Sequence, residues 1–286
     1  MSGQLTLIQM EVMANNIRQD IVRMLEAAGS GHSAGPLGLA DIFSALYFNV
    51  LKHDPNQPEW DDRDRLVLSN GHVVPVQYAS LARAGYFSLD ELDSLRKFGS
   101  RLQGHPERTK LPGLETTSGP LGSGLSQAAG MAHALLNIDS RSNQWVYAVM
   151  SDGELDEGNS WEAAMFAAKY KLNNLIAIVD RNNIQIDGST EEVMPLENLH
   201  DKWEAFGWHV QEIDGNNIES VIDACAMARA VANQPSVIIA HTVPGKGVDF
   251  MEYDYRWHGM PPSSEQARDA LRKLRTLNGK IEGGHE

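Results

Sequence analysis

The chain has 286 residues, 42% of them hydrophobic and 22% charged, which suits a soluble globular protein with room for a large core. Its formal net charge of −14 argues against nucleic acid or an anionic membrane as main partner, so a site for anions has to be locally basic or metal-assisted. A single cysteine, Cys225, leaves no disulfide framework, and no apolar run reaches transmembrane length. The amino terminus lacks the basic-then-apolar order of a signal peptide, so a cytoplasmic location is expected.

Leu5, Ile8, Val12, Met13, Ile17, Ile21, Met24, Leu25 and Ala28 recur at three and four positions and predict an amphipathic helix stopped by Gly29. Residues 29–38 read as a Gly-rich loop carrying His32, and residues 39–50 as a second helix. Arg65-Leu66-Val67-Leu68-Ser69 reads as a short buried strand that ends at Asn70-Gly71-His72, and Pro75 fits the first turn of the helix that follows. Residues 99–124 are rich in Gly and Pro and lack periodicity; so long a loop inside a compact domain is usually functional. Residues 126–137 read as helical. The apolar run from Trp145 to Met150 predicts a strand leading into Ser151-Asp152-Gly153-Glu154-Leu155-Asp156-Glu157-Gly158. After a helix over 159–171, the apolar run from Leu175 to Val179 leads into Asp180-Arg181-Asn182-Asn183-Ile184. A helix near 196–206, a strand over 208–213, a helix holding Cys225, a strand over 236–241 and a glycine-bearing loop over 243–262 come next. A last helix over 264–277 precedes a tail, 279–286, expected to fray. This alternation predicts an α/β fold, a doubly wound, mostly parallel sheet with helices on both faces, in one domain over residues 1–286.

Asp152 and Asn182 stand 30 positions apart, each at a strand end. If the two strands are neighbours, they run about 4.8 Å apart and their carboxyl ends share one edge. One carboxylate and one amide oxygen suit a hard cation such as Mg²⁺, which takes few protein oxygens and completes its shell with phosphate and water. Asp-Gly and Asn-Asn are also ordinary turn residues, so neither half alone is specific; the pair in a βαβ context is.

Four of the ten histidines sit in glycine-containing loops, at Gly31-His32, Gly71-His72, Gly104-His105-Pro106 and His258-Gly259. Any one of them reads as a solvated loop residue, but four at loop ends in a sheet-based fold point to a ligand site. Neutral imidazole can pass a proton near pH 7, and imidazolium can hold phosphate. His53, His133, His200, His209, His241 and His285 lack that context and read as surface or packing residues. Gly119-Pro120-Leu121-Gly122-Ser123-Gly124 precedes a helix and allows close backbone approach to an anion. It is not a dinucleotide fingerprint, because Gln127 replaces the third glycine and no strand stands upstream. Gly245-Lys246-Gly247 could bring a cation to a phosphate, though an exposed loop lysine is the simpler reading. Asp156 and Glu157 both fit an acid in a first helical turn.

Taken together these segments resemble the amino-terminal half of transketolase, from Gly31-His32 to His258-Gly259. The segments that carry the likeness are Ser69-Asn70-Gly71-His72, Gly104-His105-Pro106-Glu107, Thr116-Thr117-Ser118-Gly119-Pro120-Leu121-Gly122, the Asp152 and Asn182 turns, and Trp257-His258-Gly259. The paired turns are similar to the diphosphate motif of thiamine-diphosphate enzymes, a Gly-Asp-Gly followed about thirty residues later by Asn-Asn. The resemblance implies that Asp152, Asn182 and the carbonyl of Ile184 hold Mg²⁺ or Ca²⁺. It implies that Gly153, His72 and His258 contact the diphosphate and that Gly119 and Leu121 line the aminopyrimidine. His32, His105 and His258 would surround the reacting carbons and shuttle protons, and Glu157 would meet a partner subunit near its cofactor-activating glutamate. The expected reaction moves a two-carbon ketol unit from a ketose phosphate to an aldose phosphate.

Two departures accompany the likeness. Ser151 stands where the family motif begins with glycine, and the chain stops where a transketolase continues with a pyrimidine-binding domain and a third domain. The resemblance therefore implies the amino-terminal subunit of a split transketolase, inactive alone and completed by a carboxyl-terminal subunit, with a heterotetramer as the family expectation. A half resembling 1-deoxyxylulose-5-phosphate synthase shares the Gly245-Lys246-Gly247 loop but lacks a counterpart of Glu157. A split transketolase for a sulfonated or branched sugar and a non-catalytic thiamine-diphosphate binder stay open, while a nicotinamide enzyme is disfavoured by the failed glycine pattern.

Overall fold

The computed structural model describes residues 5–140 and 143–275. Helix α1 (Leu7–Ala28) starts at a reciprocal cap, in which Thr6 Oγ1 accepts from Gln9 N and the Gln9 side chain accepts from Thr6 N. Gly29, at φ 61°, ends it in the left-handed conformation that glycine adopts without cost. The expected loop over 29–38 is half helical: α2 (Ala34–Gly38) occupies its end, and α3 (Ala40–Ala45) follows, widening into a π-helical turn over Leu46–Val50. Five residues that include two glycines and a proline carry no readable period, which hid α2; Pro36 is tolerated because it lies in the first turn.

Strand β1 (Arg65–Leu68) leads through a 3₁₀ turn at Gly71–Val73 into α4 (Val74–Ala84). Helix α5 (Ser123–His133) starts three residues before the expected position, because its N-cap Gly122 lies at φ 79° inside the glycine run that reads as loop. Strand β2 (Val146–Ser151), helix α6 (Gly158–Lys169) and strand β3 (Leu175–Arg181) form the central unit. A small antiparallel hairpin, β4 (Ile184–Gln185) and β5 (Gly188–Ser189), follows with the single turn α7 (Thr190–Val193); neither is legible at two to four residues. Then come α8 (Leu199–Ala205), β6 (His209–Asp214), α9 (Ile218–Arg229), β7 (Ser236–His241) and α10 (Ser264–Arg275). The tail over 279–286, with His285, and the last two positions of the expected final helix lie outside the described residues.

The main sheet has the order β1-β2-β3-β7-β6, and every neighbouring pair is parallel. β2 and β3 are buried at every position, as a parallel sheet covered on both faces requires. Alternate side chains serve two cores. Leu66, Leu68, Tyr147, Val149, Ile176, Ile178 and Ile238 pack with α1, α3, α4, α9 and α10. Val67, Val146, Ala148, Met150, Val179 and Ile239 pack with α5, α6 and α8, where Trp203 is fully buried. Each buried Val, Leu or Ile contributes about 1.5–3 kcal/mol, so the period-two pattern fixes which face each strand residue takes. Because all five strands point the same way, the turns after β1, β2, β3 and β7 gather on one edge. No helix among the described residues is long and apolar enough to cross a membrane.

Candidate functional site

β2 and β3 are direct neighbours, with Ser151 paired to Asp180. Asp152, the first residue past β2, is fully buried. Its Oδ1 accepts from Gly153 N at 2.8 Å, and its Oδ2 accepts from Asn183 N at 2.7 Å and from Arg181 Nη1 at 3.3 Å. Asn183 takes φ 63°, a left-handed conformation that Asn tolerates better than most residues, and this directs its N–H at the neighbouring strand tip. Asn182 is also buried; its Nδ2 donates to Asp180 Oδ2 at 2.8 Å and its Oδ1 accepts from Ile184 N at 3.0 Å. A carboxylate offers about four lone-pair positions and an amide oxygen two, so Asp152 and Asn182 each keep one for a cation. The donor set is all oxygen, which fits a hard divalent ion.

Burial raises the Asp152 carboxyl to about 6, against the opposing pull of Asn183 N–H, Arg181 and Gly153 N–H. Burial likewise raises Asp180 to about 7, with Thr242 Oγ1 and Asn182 donating to it and the Asp152 charge adding to the rise. The sequence pattern assigns no role to Asp180 or Arg181. Arg181 is a charged residue at the tip of an apolar strand, and it also reaches Thr190 Oγ1 at 2.8 Å, Glu191 at 2.8 Å and Glu197 at 2.7 Å.

The histidines converge. The rings of His32 and His72 are 4.9 Å apart, His32 and His258 5.5 Å, and His72 and His258 5.2 Å. The loop carrying His32 is tied to the loop carrying His258 by Ser33 Oγ, which donates to Met260 O at 2.6 Å. His105 lies beside the trio, where a Cβ at Gly71 would meet its ring at 3.1 Å and Gly119 N at 3.2 Å. Burial lowers His32 to about 4, helped by His258, Arg96 and His105, and holds His72 well below its ordinary value. His105 is lowered by burial and then by Arg96, and His258 by burial. All four are therefore neutral near pH 7 and can exchange protons as imidazoles. Arg96 is another residue the sequence left unread. Its guanidinium is wedged between the glycines that precede two of these histidines, 3.6 Å from a Cβ position at Gly31 and 2.8 Å from one at Gly104.

Three buried polar atoms on this edge, His32 Nδ1 and the side-chain Oδ1 and Nδ2 of Asn70, have no hydrogen-bond partner among the described residues. Buried polar groups are rarely left unpaired, so a polar ligand between these turns fits the residues present. Gly119 has open space around its Cα and Leu121 is 37% exposed, so both are free to line such a ligand. Gly153 is half-buried in the turn that follows Asp152. Glu157, the N-cap residue of α6, is exposed and lies over Gly122. Lys246 is half-buried, not the exposed loop lysine expected.

The family model for transketolase, thiamine diphosphate binding domain, matches residues 9–279. The 6-deoxy-6-sulfo-D-fructose transketolase subunit of Clostridium sp. (strain MSTE9) is 43% identical over 267 residues, covering 93% of this chain and 96% of that protein. An apulose-4-phosphate transketolase subunit of Phocaeicola vulgatus is 40% identical, covering 96% of each chain. Transketolase 2 of Escherichia coli (strain K12) is 40% identical, but the chain spans only 41% of it. Among solved structures, transketolase from Campylobacter jejuni superposes with a TM-score of 0.88 at 33% identity, over 97% of this chain and 46% of that one. The chain belongs to the transketolase family, in its thiamine diphosphate-binding domain, and aligns along nearly its whole length with relatives that are separate amino-terminal subunits of a split enzyme.

Proposed function

We propose that the chain holds thiamine diphosphate through a divalent cation at the tips of β2 and β3, and that a carboxyl-terminal partner subunit completes the active site. The observation that carries this reading is the pairing of β2 with β3, which brings Asp152 against the turn containing Asn182 on the same edge as four histidines. Asp152, Asn182 and the Ile184 carbonyl would hold Mg²⁺ or Ca²⁺. Gly153, His72 and His258 would meet the diphosphate, and Gly119 and Leu121 the aminopyrimidine. When bound, thiamine diphosphate supplies the nucleophilic carbon that lets a ketose be cleaved beside its carbonyl.

This chain's residues bind, orient and move protons. His32 and His258, neutral and half-buried, are suited to exchange protons with donor hydroxyls, and His105 to hold the first hydroxyl of the donor. Glu157, exposed at the start of α6, is available to a partner's surface. The expected assembly is a heterotetramer in the cytoplasm. The relatives that act on 6-deoxy-6-sulfo-D-fructose and apulose 4-phosphate favour a specialised ketose over the common pentose phosphates as substrate. The test is reconstitution. The chain, mixed with a candidate carboxyl-terminal subunit of about 300 residues, a two-domain length, should transfer a ketol unit only when both are present. Consumption of pyruvate instead would favour the deoxyxylulose-phosphate synthase class, and inactivity with every such subunit would favour a non-catalytic binder.

A further inference from the structure

Glu154 is a second buried acid in the turn after β2, fully enclosed and distinct from the cation ligand two positions before it. Its Oε1 accepts from Gly122 N at 2.7 Å and from the Ser69 hydroxyl, and its Oε2 accepts from Ser151 N at 3.1 Å. Those donors come from three chain segments. Ser69 directly follows β1, one residue before the Asn70 amide, which has no partner among the described residues, and three before His72. Gly122 closes the Gly119–Leu121 turn, and Ser151 ends β2. The network continues through Ser69 Oγ, which accepts from Gly124 N at 3.0 Å, so the hydroxyl proton is left for Glu154. Gly124 is pressed so closely on Ser69 that a Cβ there would overlap its Oγ, and a Cβ at Gly122 would sit 2.8 Å from Glu157 Cβ. The turn has one seat, and Glu154 fastens it.

We propose that Glu154 is a positioning residue that holds the 119–124 turn, the end of β1 and the cation turn in a single preformed frame for the aminopyrimidine end of the cofactor. The inference rests on the cofactor assignment made above. Its chemistry is one of matched donors and acceptors. Among the described residues three donors face the Glu154 side chain and no acceptor does, so a carboxylate satisfies all of them while an amide cannot. In Glu154→Gln, whichever way the amide is turned, its NH₂ confronts a backbone N–H, of Gly122 or of Ser151. One buried donor then loses its partner, and the turn it belongs to is released.

The experiment compares wild type with Glu154→Gln and with the milder Ser69→Ala, which removes one donor and leaves the acid in place. Hydrogen–deuterium exchange on the full chain without cofactor should show peptide 119–125 opening in both variants, more in Glu154→Gln, while β3 and α1 stay protected. In the enzyme assembled with its partner, the apparent KM for thiamine diphosphate should rise about tenfold in Glu154→Gln, with kcat at saturating cofactor within about threefold of wild type. If Glu154→Gln does not fold, Ser69→Ala alone must show the local opening and a smaller rise in KM. Unchanged exchange at 119–125 with an unchanged KM overturns the inference, as does a loss of protection spread over the whole chain with KM unmoved. If wild type itself binds no thiamine diphosphate, the cofactor assignment fails, while the exchange result still decides whether Glu154 fastens the turn.

Discussion

Asp152 Oδ2 accepts the backbone N–H of Asn183 at 2.7 Å, so the carboxylate at the end of β2 is fastened to the turn that ends β3. One side chain thereby serves as a brace between strands and as a candidate cation ligand. Asp152→Ala should abolish cation-dependent binding of thiamine diphosphate. It should also lower stability by about 1–3 kcal/mol, because the N–H groups of Gly153 and Asn183 lose their acceptor. Calorimetric titration and urea unfolding measure the two effects; retained tight binding removes the ligand assignment.

The same carboxylate carries a pH dependence. Its folded value, raised to about 6 by burial, means that the cation-free chain holds a proton there in mild acid. A cation has to displace that proton, so affinity for Mg²⁺ should be flat above pH 7 and fall by up to about tenfold per pH unit below 6. An affinity independent of pH between 5 and 8 would contradict the shift.

The His32 imidazole is shifted the other way, downward. Its folded value of about 4 lies below the 6.5 of an unperturbed histidine, so between these limits the unfolded chain binds more protons than the folded one. This contribution to stability is present above pH 6.5 and is lost as the pH falls toward 4. ¹⁵N-labelled histidine spectra should show His32 neutral down to about pH 5, and Arg96→Met should move both His32 and His105 back toward 6.5. A His32 resonance titrating at 6.5 in wild type would refute the burial argument.

His105→Ala should lower turnover of the assembled enzyme by about a hundredfold, the scale of a lost proton-handling or orienting group, while the affinity for thiamine diphosphate barely moves. Steady-state kinetics with varied cofactor separate the two, and an unchanged rate removes the role.

Two glycines in one turn should behave differently. Gly124→Ala would place a Cβ 2.5 Å from the backbone of Ser69, a clash that rotamer changes cannot relieve, and should cost about 1–3 kcal/mol. Gly119→Ala meets nothing within 4 Å and should leave stability unchanged while weakening cofactor binding. Urea midpoints of the two variants give the comparison.

Much of this was legible in the sequence because parallel strands are buried on both faces and read as apolar runs ending in polar turns. The runs before Asp152 and Asp180 located β2 and β3, and the helix between them implied that they run parallel; that they are also direct neighbours comes from the register, Val146–Leu175 to Ser151–Asp180. The glycine-flanked histidines marked loops whose convergence only the sheet could supply. What escaped has physical causes. α2 and the start of α5 lie in glycine-rich stretches, where backbone freedom erases periodicity, and β4 and β5 are shorter than one period of alternation. Glu154 stands in a turn where any acid looks like a helix-favouring residue; its three donors come from segments far apart in the chain. Arg96 contacts two loops from a left-handed position, φ 59°, that no local pattern announces.

Locating the cation tests the joint role of Asp152 and Asn182 most directly. Crystals of the chain with thiamine diphosphate and Mn²⁺, grown with the partner subunit present, allow the ion to be found by its anomalous scattering. One peak is expected, in coordination contact with the Asp152 carboxylate, the Asn182 side-chain oxygen, the Ile184 carbonyl and the diphosphate. A cofactor bound with the ion elsewhere, or bound at these strand ends with no ion between, would contradict it.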